Sequence, residues 1–340
     1  GHNFDYLNKR FSNYDKDWGI VTKILCGNKE YLKEIVKLNP KEVHDSRLSN
    51  LELLKELAPD IQRVYIKPPP TKSIKRLVAC ADVSFNTHIS TIEKINVEAK
   101  RQGIIHKVMV MIELGDLREG IMRENVLAFY EKTFELEHIN VVGIGANLNC
   151  LNGILPSKDK LIQLSLYKEL INTKFNSNIK WVSAGTSITL PILSKKQVPK
   201  GCNHFRIGET LYFGNNILSN TPFSKMRQDV FTFKAEVIEL KEKPIVATGM
   251  QGTNLMGEQP EIEQEKLGQN SIRAILDVGV LDVKPEDITP LQKGVKIVGG
   301  SSDMIIVDVG DNINNIKLGD TLSFKPNYTG VLSLMNSRYI

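Results

Sequence analysis

Two textures of apolar and polar positions divide the chain. From residue 19 to about residue 215, short apolar runs alternate with longer amphipathic stretches. The spacing predicts strands over Gly19–Leu25, Glu42–Asp45, Arg63–Lys67, Val83–Asn86, Lys107–Leu114, Val141–Ala146, Lys180–Ala184 and His204–Gly208. Between them it predicts helices, among them Lys29–Leu38, Asn50–Leu57, Ile89–Gln102, Arg123–Glu135 and Asp159–Phe175. In the last of these, Leu161, Leu164, Ile171 and Phe175 fall near one helical stripe, with Lys and Glu elsewhere. Strand–helix alternation makes a parallel sheet, because each crossover needs a helix. Roughly eight units of about 25 residues suit a closed α/β barrel of the (β/α)8, TIM-barrel type. An open doubly wound sheet is the alternative, and the lack of a GxGxxG turn after the first strand counts against it.

The texture changes after Asn220-Thr221-Pro222. From Asp229 onward the runs alternate or are β-branched, as in Phe231–Leu240, Ile272–Val280, Lys296–Val298, Met304–Val309 and Thr321–Phe324. Turn signals such as Gly310-Asp311-Asn312 and Gly319-Asp320 separate them. The division expected is a barrel over residues 1–222 and a mostly β domain over 223–340. There is no internal repeat beyond the βα unit and no low-complexity tract.

Bulk composition narrows the class. With 41% apolar and 24% charged residues the chain reads as an ordinary globular protein. No run of about 18 apolar residues is present to span a membrane, and the first residues show no secretory apolar core. Cys26, Cys80, Cys150 and Cys202 stand far apart and form no CxxC metal-ligand pair, which argues for a reducing compartment and hence the cytoplasm. A net charge of +5, not gathered into an arm or stripe, argues against nucleic acid and is compatible with a small anionic ligand.

One residue interrupts this ordinary picture. In Gly19-Ile20-Val21-Thr22-Lys23-Ile24-Leu25, a lysine breaks an apolar run. On a barrel strand it would point inward near the C-terminal mouth, and desolvation would make its amine a Schiff-base nucleophile. A lysine snorkelling from the strand end is the plain alternative.

Val21-Thr22-Lys23 followed by Gly27 resembles the pyridoxal phosphate (PLP) lysine strand of the alanine racemase family, the fold-type III enzymes. Val108–Ile121 (VMVMIELGDLREGI) and Gly143–Pro156 (GIGANLNCLNGILP) are similar to its ornithine racemase-like branch. Phe205-Arg206-Ile207-Gly208-Glu209 and Asn327–Tyr339 are similar to the family as well, in the right order. The likeness spans nearly the whole chain. The family usually has a strand before the segment Phe4–Phe11, and none is visible here.

The resemblance implies PLP as cofactor and assigns residues to it. Lys23 matches the lysine that carries PLP. Arg206 matches the arginine facing the pyridine nitrogen, and Asn147 the side chain supporting that arginine. Ser187, a good N-cap type after the seventh strand, matches the phosphate serine; Gly208 and the amide of Glu209 follow the eighth strand, and Tyr328 matches a phosphate-contacting tyrosine. Arg118 matches the arginine near the substrate carboxylate, whose family brace, a modified lysine, is replaced by Met111. Each has a plain counter-reading. Arg206 would be a strand-end surface arginine, Ser187 and Gly208 turn residues, Tyr328 a core tyrosine, and the GDLREG turn a helix-start loop capped by Asp116.

Racemisation needs a proton donor on each face of Cα unless one base serves both. Lys23 takes one face. The family's second base, a tyrosine from the partner subunit, is Val280 here, so Cys150, Asp282 and Asp303 become the candidates. The expected activity is a PLP-dependent amino-acid racemase, an isomerase, working as a homodimer, with ornithine or lysine favoured by the branch. Acidic residues of the β domain (Asp282, Asp303, Glu258) would suit a terminal ammonium, or simply cap turns. Alternatives are another PLP reaction on this fold (decarboxylation or aldol cleavage), a non-catalytic PLP carrier, and a pseudo-enzyme.

Overall fold

The computed structural model describes residues 1–219, 221–253, 257 and 264–340, so Asn220 and Glu258 lie outside the described residues. The chain divides into two compact units, Gly1–Gln228 and Asp229–Ile340.

The first unit is a closed barrel of eight parallel strands, in the order β1 to β8. These are β1 (Asp17–Val21), β2 (Glu42–Asp45), β3 (Gln62–Tyr65), β4 (Val83–Asn86), β5 (His106–Met111), β6 (Ile139–Gly145), β7 (Trp181–Thr186) and β8 (His204–Ile207). β8 closes on β1 with Asp17 opposite His204 through Ile20 opposite Ile207. Outside run α1 (His2–Ser12), α2 (Lys29–Lys37), α3 (Leu48–Leu57), α4 (Ile74–Cys80), α5 (Ile89–Gln102), α6 (Val126–Phe134), α7 (Lys158–Phe175), α8 (Leu190–Ser194) and α9 (Glu209–Phe213). Local chemistry sets their ends: the Asn28 side chain accepts from the first turn of α2, Ser157 caps α7, and Gly103 at φ +69° ends α5. α1 buries Phe4, Leu7 and Phe11, and Phe11 packs 5.7 Å from Trp18 and 5.2 Å from Phe205. β9 (Asn215–Asn216) and β10 (Thr221–Pro222) form a small antiparallel pair after it.

The second unit is an antiparallel sheet of β11 (Phe233–Pro244), β12 (Asn270–Leu276), β13 (Ile288–Pro290), β14 (Lys296–Gly300), β15 (Ile305–Gly310) and β16 (Thr321–Pro326), with α10 (Tyr328–Asn336) at the end. The sheet order is β13-β16-β11-β12-β15-β14. A bulge lies between Val237 and Glu239. Its inward alternation, Phe233, Ala235, Val237, builds an apolar core with Ala274, Leu276, Ile305, Val307, Leu322 and Phe324. Both the barrel and the β architecture read from the sequence are present. α1 and α10 are not among the helices the pattern indicated; α10 is a nine-residue helix that buries Gly330, Val331 and Leu334. Among the described residues no helix is long and apolar enough to cross a membrane.

Candidate active site

The first strand is shorter than expected, and this changes the reading of Lys23. β1 ends at Val21, and Lys23 opens a 3-10 turn, Lys23–Leu25, that leaves through Cys26 at φ +49°. Thr22 ends the ladder: its N–H donates to the His44 carbonyl at 2.9 Å and its hydroxyl to Asp45 Oδ2 at 2.8 Å. Ile24 and Leu25 then turn into the core, while the Lys23 side chain is exposed. The expected desolvated strand lysine is therefore corrected to an accessible amine two residues past the strand's C-terminal end. There it faces the turn after β8, where the Lys23 ammonium acts on the half-buried Glu209 carboxyl. Burial raises that carboxyl's pKa, and Asn215 and Lys23 oppose the rise.

The turns after β7 and β8 are joined. Ser187 is buried, and its hydroxyl accepts from the N–H of Thr210 at 3.2 Å, so it braces the start of α9. It is not the N-cap expected from its type. That place falls to Thr186, which makes no side-chain cap bond. Gly208 precedes α9 and passes so near β1 that a Cβ there would lie 3.1 Å from Val21 Cβ. Tyr212 of α9 donates to the Val21 carbonyl at 3.1 Å and ties that helix to the end of β1. Lys23, Ser187, Gly208 and Glu209 thus meet at one edge of the mouth.

Arg206 is buried in β8, not on the surface. Its Nη1 donates to Ser183 Oγ, and its Nη2 donates to the Ala146 carbonyl at 2.9 Å and Asn147 Oδ1 at 2.5 Å. Asn147 is thus hydrogen-bonded to Arg206. Burial lowers the guanidinium's pKa to about 10, which leaves it charged at neutral pH, and Glu119 opposes the fall. Among the described residues no group accepts from Nε, so one N–H remains for a ligand acceptor. A cationic donor held against the barrel wall with one N–H free fits the ring nitrogen of PLP.

The loops after β5 and β6 carry the rest. Arg118 forks onto Glu119, which holds its pKa up, and Glu119 also accepts from Asn147 Nδ2. Asp116 is buried and accepts from the N–H groups of Cys150 (2.9 Å), Leu151 (3.0 Å), Asn152 (3.2 Å) and Ile154 (3.2 Å). It is the clamp of the loop after β6, not a cap for the GDLREG turn. Burial opposes its ionisation, but these four donors hold its pKa below the usual value. The clamp fixes Cys150 as an exposed thiol whose charge, when ionised, acts on both Arg118 and Arg206. Met111 is core, packed with Phe85 and Met109.

The other candidates lie in the second unit. Tyr328 is the first residue of α10 and is half-buried. Val280 and Leu281 donate their N–H groups to the carbonyls of Ser301 and Ser302, each at 2.9 Å, which sets Val280 beside the Asp303 turn. Asp282 accepts from Ser337 Oγ at 2.6 Å and from the Gly279 N–H at 3.4 Å, so it is a turn brace. Asp303 is exposed and accepts from Ser301 Oγ at 3.2 Å.

Sequence reasoning missed Glu119, Ser183 and the clamping role of Asp116. Ser183 was legible in principle as a polar residue inside an apolar strand, whereas Glu119 carries no signal beyond its place in a charged turn.

The family model for the alanine racemase N-terminal domain matches residues 2–216. The chain is 32% identical to an ornithine racemase of Acetoanaerobium sticklandii over 322 residues, 94% of this chain and 90% of that protein. It is 29% identical to a lysine racemase of Thermotoga maritima over 320 residues, 94% and 88% of the two chains. An alanine racemase from Bartonella henselae solved with covalently bound pyridoxal phosphate superposes with a TM-score of 0.74 at 14% identity, covering 99% of this chain and 94% of that one.

Proposed function

The chain belongs to the alanine racemase family, and from that premise we propose that it is a PLP-dependent isomerase interconverting the L and D forms of a basic amino acid, ornithine or lysine. The observation that carries this reading is the match over 94% of the chain to racemases of those two amino acids. The fold alone would not choose the reaction, because one fold hosts many chemistries.

PLP supplies the electron sink that makes the Cα proton of a bound amino acid removable. The chain's own residues take the other parts. The accessible Lys23 amine is the attachment point and the proton carrier for one face of Cα. Arg206, charged and with its Nε–H unengaged, would face the ring nitrogen and keep it unprotonated, which would favour return of the proton to Cα. Asn147 and Ser183 hold Arg206 in place. Ser187, Gly208 and the Glu209 amide line the phosphate end, and Arg118 meets the substrate carboxylate. Cys150 serves the second face: it is exposed, its loop is clamped by Asp116, and it lies near the guanidiniums of Arg118 and Arg206. Asp303 is the alternative, while Asp282 already accepts from Ser337. A homodimer, the β domain of one chain covering the mouth of the other, would keep water from the site.

Chiral chromatography after incubation of the PLP-loaded protein with each common amino acid tests the reading. Racemisation of ornithine or lysine is expected; turnover of alanine alone would overturn the substrate class, and none at all the reaction. Light scattering at assay concentration tests the dimer, which a fully active monomer would exclude.

A further inference from the structure

Beneath Arg206 the barrel interior holds a layer of polar side chains that the reaction does not use directly. Glu42 and His44 come from β2, His204 from β8 and Ser183 from β7, and all four are buried. Four such groups in one barrel are costly unless they satisfy one another. Glu42 Oε1 lies 2.6 Å from His204 Nε2, and His204 Nδ1 lies 2.8 Å from Ser183 Oγ. Ser183 Oγ in turn accepts from Arg206 Nη1, and Glu42 Oε2 accepts from Gln62 Nε2 at 2.9 Å.

The direction of this chain follows from its two ends. A guanidinium only donates and a carboxylate only accepts, so Ser183 Oγ accepts from Arg206, Glu42 accepts from His204, and with a neutral ring the serine proton goes to His204 Nδ1. That nitrogen then carries no proton, and Nε2–H donates to the Glu42 carboxylate. Every group in the run from Arg206 to Glu42 is satisfied with His204 neutral and one tautomer populated. Trp181 stacks on the His204 ring at 4.5 Å and 14°, which fixes its plane. Gly19 leaves the space that His44 occupies, since a Cβ there would overlap His44 Nε2.

Glu42, His44 and His204 also present three ligand atoms within 4.8 Å of one another, a donor set a divalent cation could accept. Charge decides between the two. The layer offers a dication only one carboxylate, Glu42, with the Arg206 cation buried nearby, so such an ion would bring uncompensated positive charge into a buried site. A proton between His204 and Glu42 leaves the layer neutral. Burial opposes ionisation of Glu42, but His204 and His44 more than offset this and hold its pKa well below the usual range. Burial likewise lowers the pKa of His44 and keeps that ring uncharged.

We propose that Glu42 and His204 are positioning residues for Arg206: Glu42 orients the His204 ring, and His204, through Ser183, fixes the Nη1 side of the fork so that Nε stays free for the cofactor ring. The functional part rests on the PLP reading above; the hydrogen-bond relay does not.

The test therefore begins with the full-length protein before PLP is added, labelled with 15N-histidine and 15N-arginine. Wild type should show His204 as the neutral Nε2–H tautomer and slowly exchanging Arg206 guanidinium protons. Glu42→Gln and His204→Leu should lose the slow exchange. His204→Gln should keep it, because a glutamine side chain offers one acceptor to Ser183 and one donor to Glu42. The double variant Glu42→Leu/His204→Leu guards against misfolding, since apolar replacement of a buried pair is often tolerated; it should fold and still lose the Arg206 signals. After loading, Glu42→Gln and His204→Leu should bind PLP about 10-fold more weakly and release more transaminated cofactor per turnover, with His204→Gln close to wild type. Unchanged Arg206 exchange in Glu42→Gln would overturn the proposal, as would a stoichiometric divalent metal that this variant loses. Failure of PLP to bind at all would fall on the functional reading, while the guanidinium signals still decide the relay.

Discussion

The two units bury different chemistry. Among the described residues every buried polar or charged side chain lies in the barrel, from Asn3 to Thr210, and none in Asp229–Ile340. The β unit's core is Phe, Val, Leu, Ile and Ala. All six histidines and both tryptophans also belong to the barrel. An apolar core gains stability from burial alone and tolerates changes of pH. A barrel lined with Glu42, His44, His106, His204 and Arg206 depends on hydrogen bonds to offset the cost of burying them, and His44 and His106, which keep ring nitrogens without a partner, are held uncharged by burial. The lesson is that polarity in a core marks where the protein does work, and an apolar core marks where it holds shape.

The sharpest test of that division is Lys23→Ala. It should abolish covalent PLP and racemisation while leaving barrel stability within about 0.5 kcal/mol, because the side chain is exposed. Trp18 and Trp181 fluorescence reports the barrel's melting, and borohydride reduction with peptide mapping of wild type reports the attachment site. A label on any other lysine ends the assignment.

Cys150→Ser comes next, with turnover falling about 10²- to 10⁴-fold and the cofactor absorbance unchanged. An unimpaired variant would move the second proton carrier to Asp303 and so give the β unit a share of the chemistry, breaking the comparison.

In the β unit, Phe324→Ala removes a fully buried ring that packs 6.1 Å from Phe233 and should cost about 3–5 kcal/mol. Hydrogen exchange over 229–340 should show that loss equally at pH 7 and pH 5; a loss that grows with acid would mean the two cores differ less than their composition indicates.

The smallest effect is acid sensitivity of the barrel. Burial lowers the pKa of His106 from the ordinary 6.5 to about 4, with Ser84 Oγ 2.9 Å from its Nε2. Between those values the unfolded chain binds a proton that the folded barrel refuses, so stability is full above about pH 6.5 and declines toward pH 4. The decline from this one group is about 3 kcal/mol. Tryptophan-monitored unfolding from pH 7 to pH 4 should show it, and His106→Gln should flatten the curve.

Much of this was legible without coordinates. Periodicity marked all eight barrel strands and the five longest strands of the β unit, because alternation and amphipathic spacing are local consequences of which face is buried. The lysine in an apolar run pointed to Lys23, and resemblance joined it to Arg206 and Asn147. What only the tertiary structure decided are partnerships across long stretches of chain. Barrel closure brings Arg206 to Ser183, Ala146 and Asn147, and β2 and β8 together supply Glu42 and His204. The end of β1 was of the same kind. Lys23 leaves the strand because Thr22 finds Asp45 on the neighbouring strand, a hydrogen bond between residues that no local pattern relates. Burial of apolar side chains leaves a periodic trace in the sequence, whereas satisfaction of buried polar ones depends on register and closure.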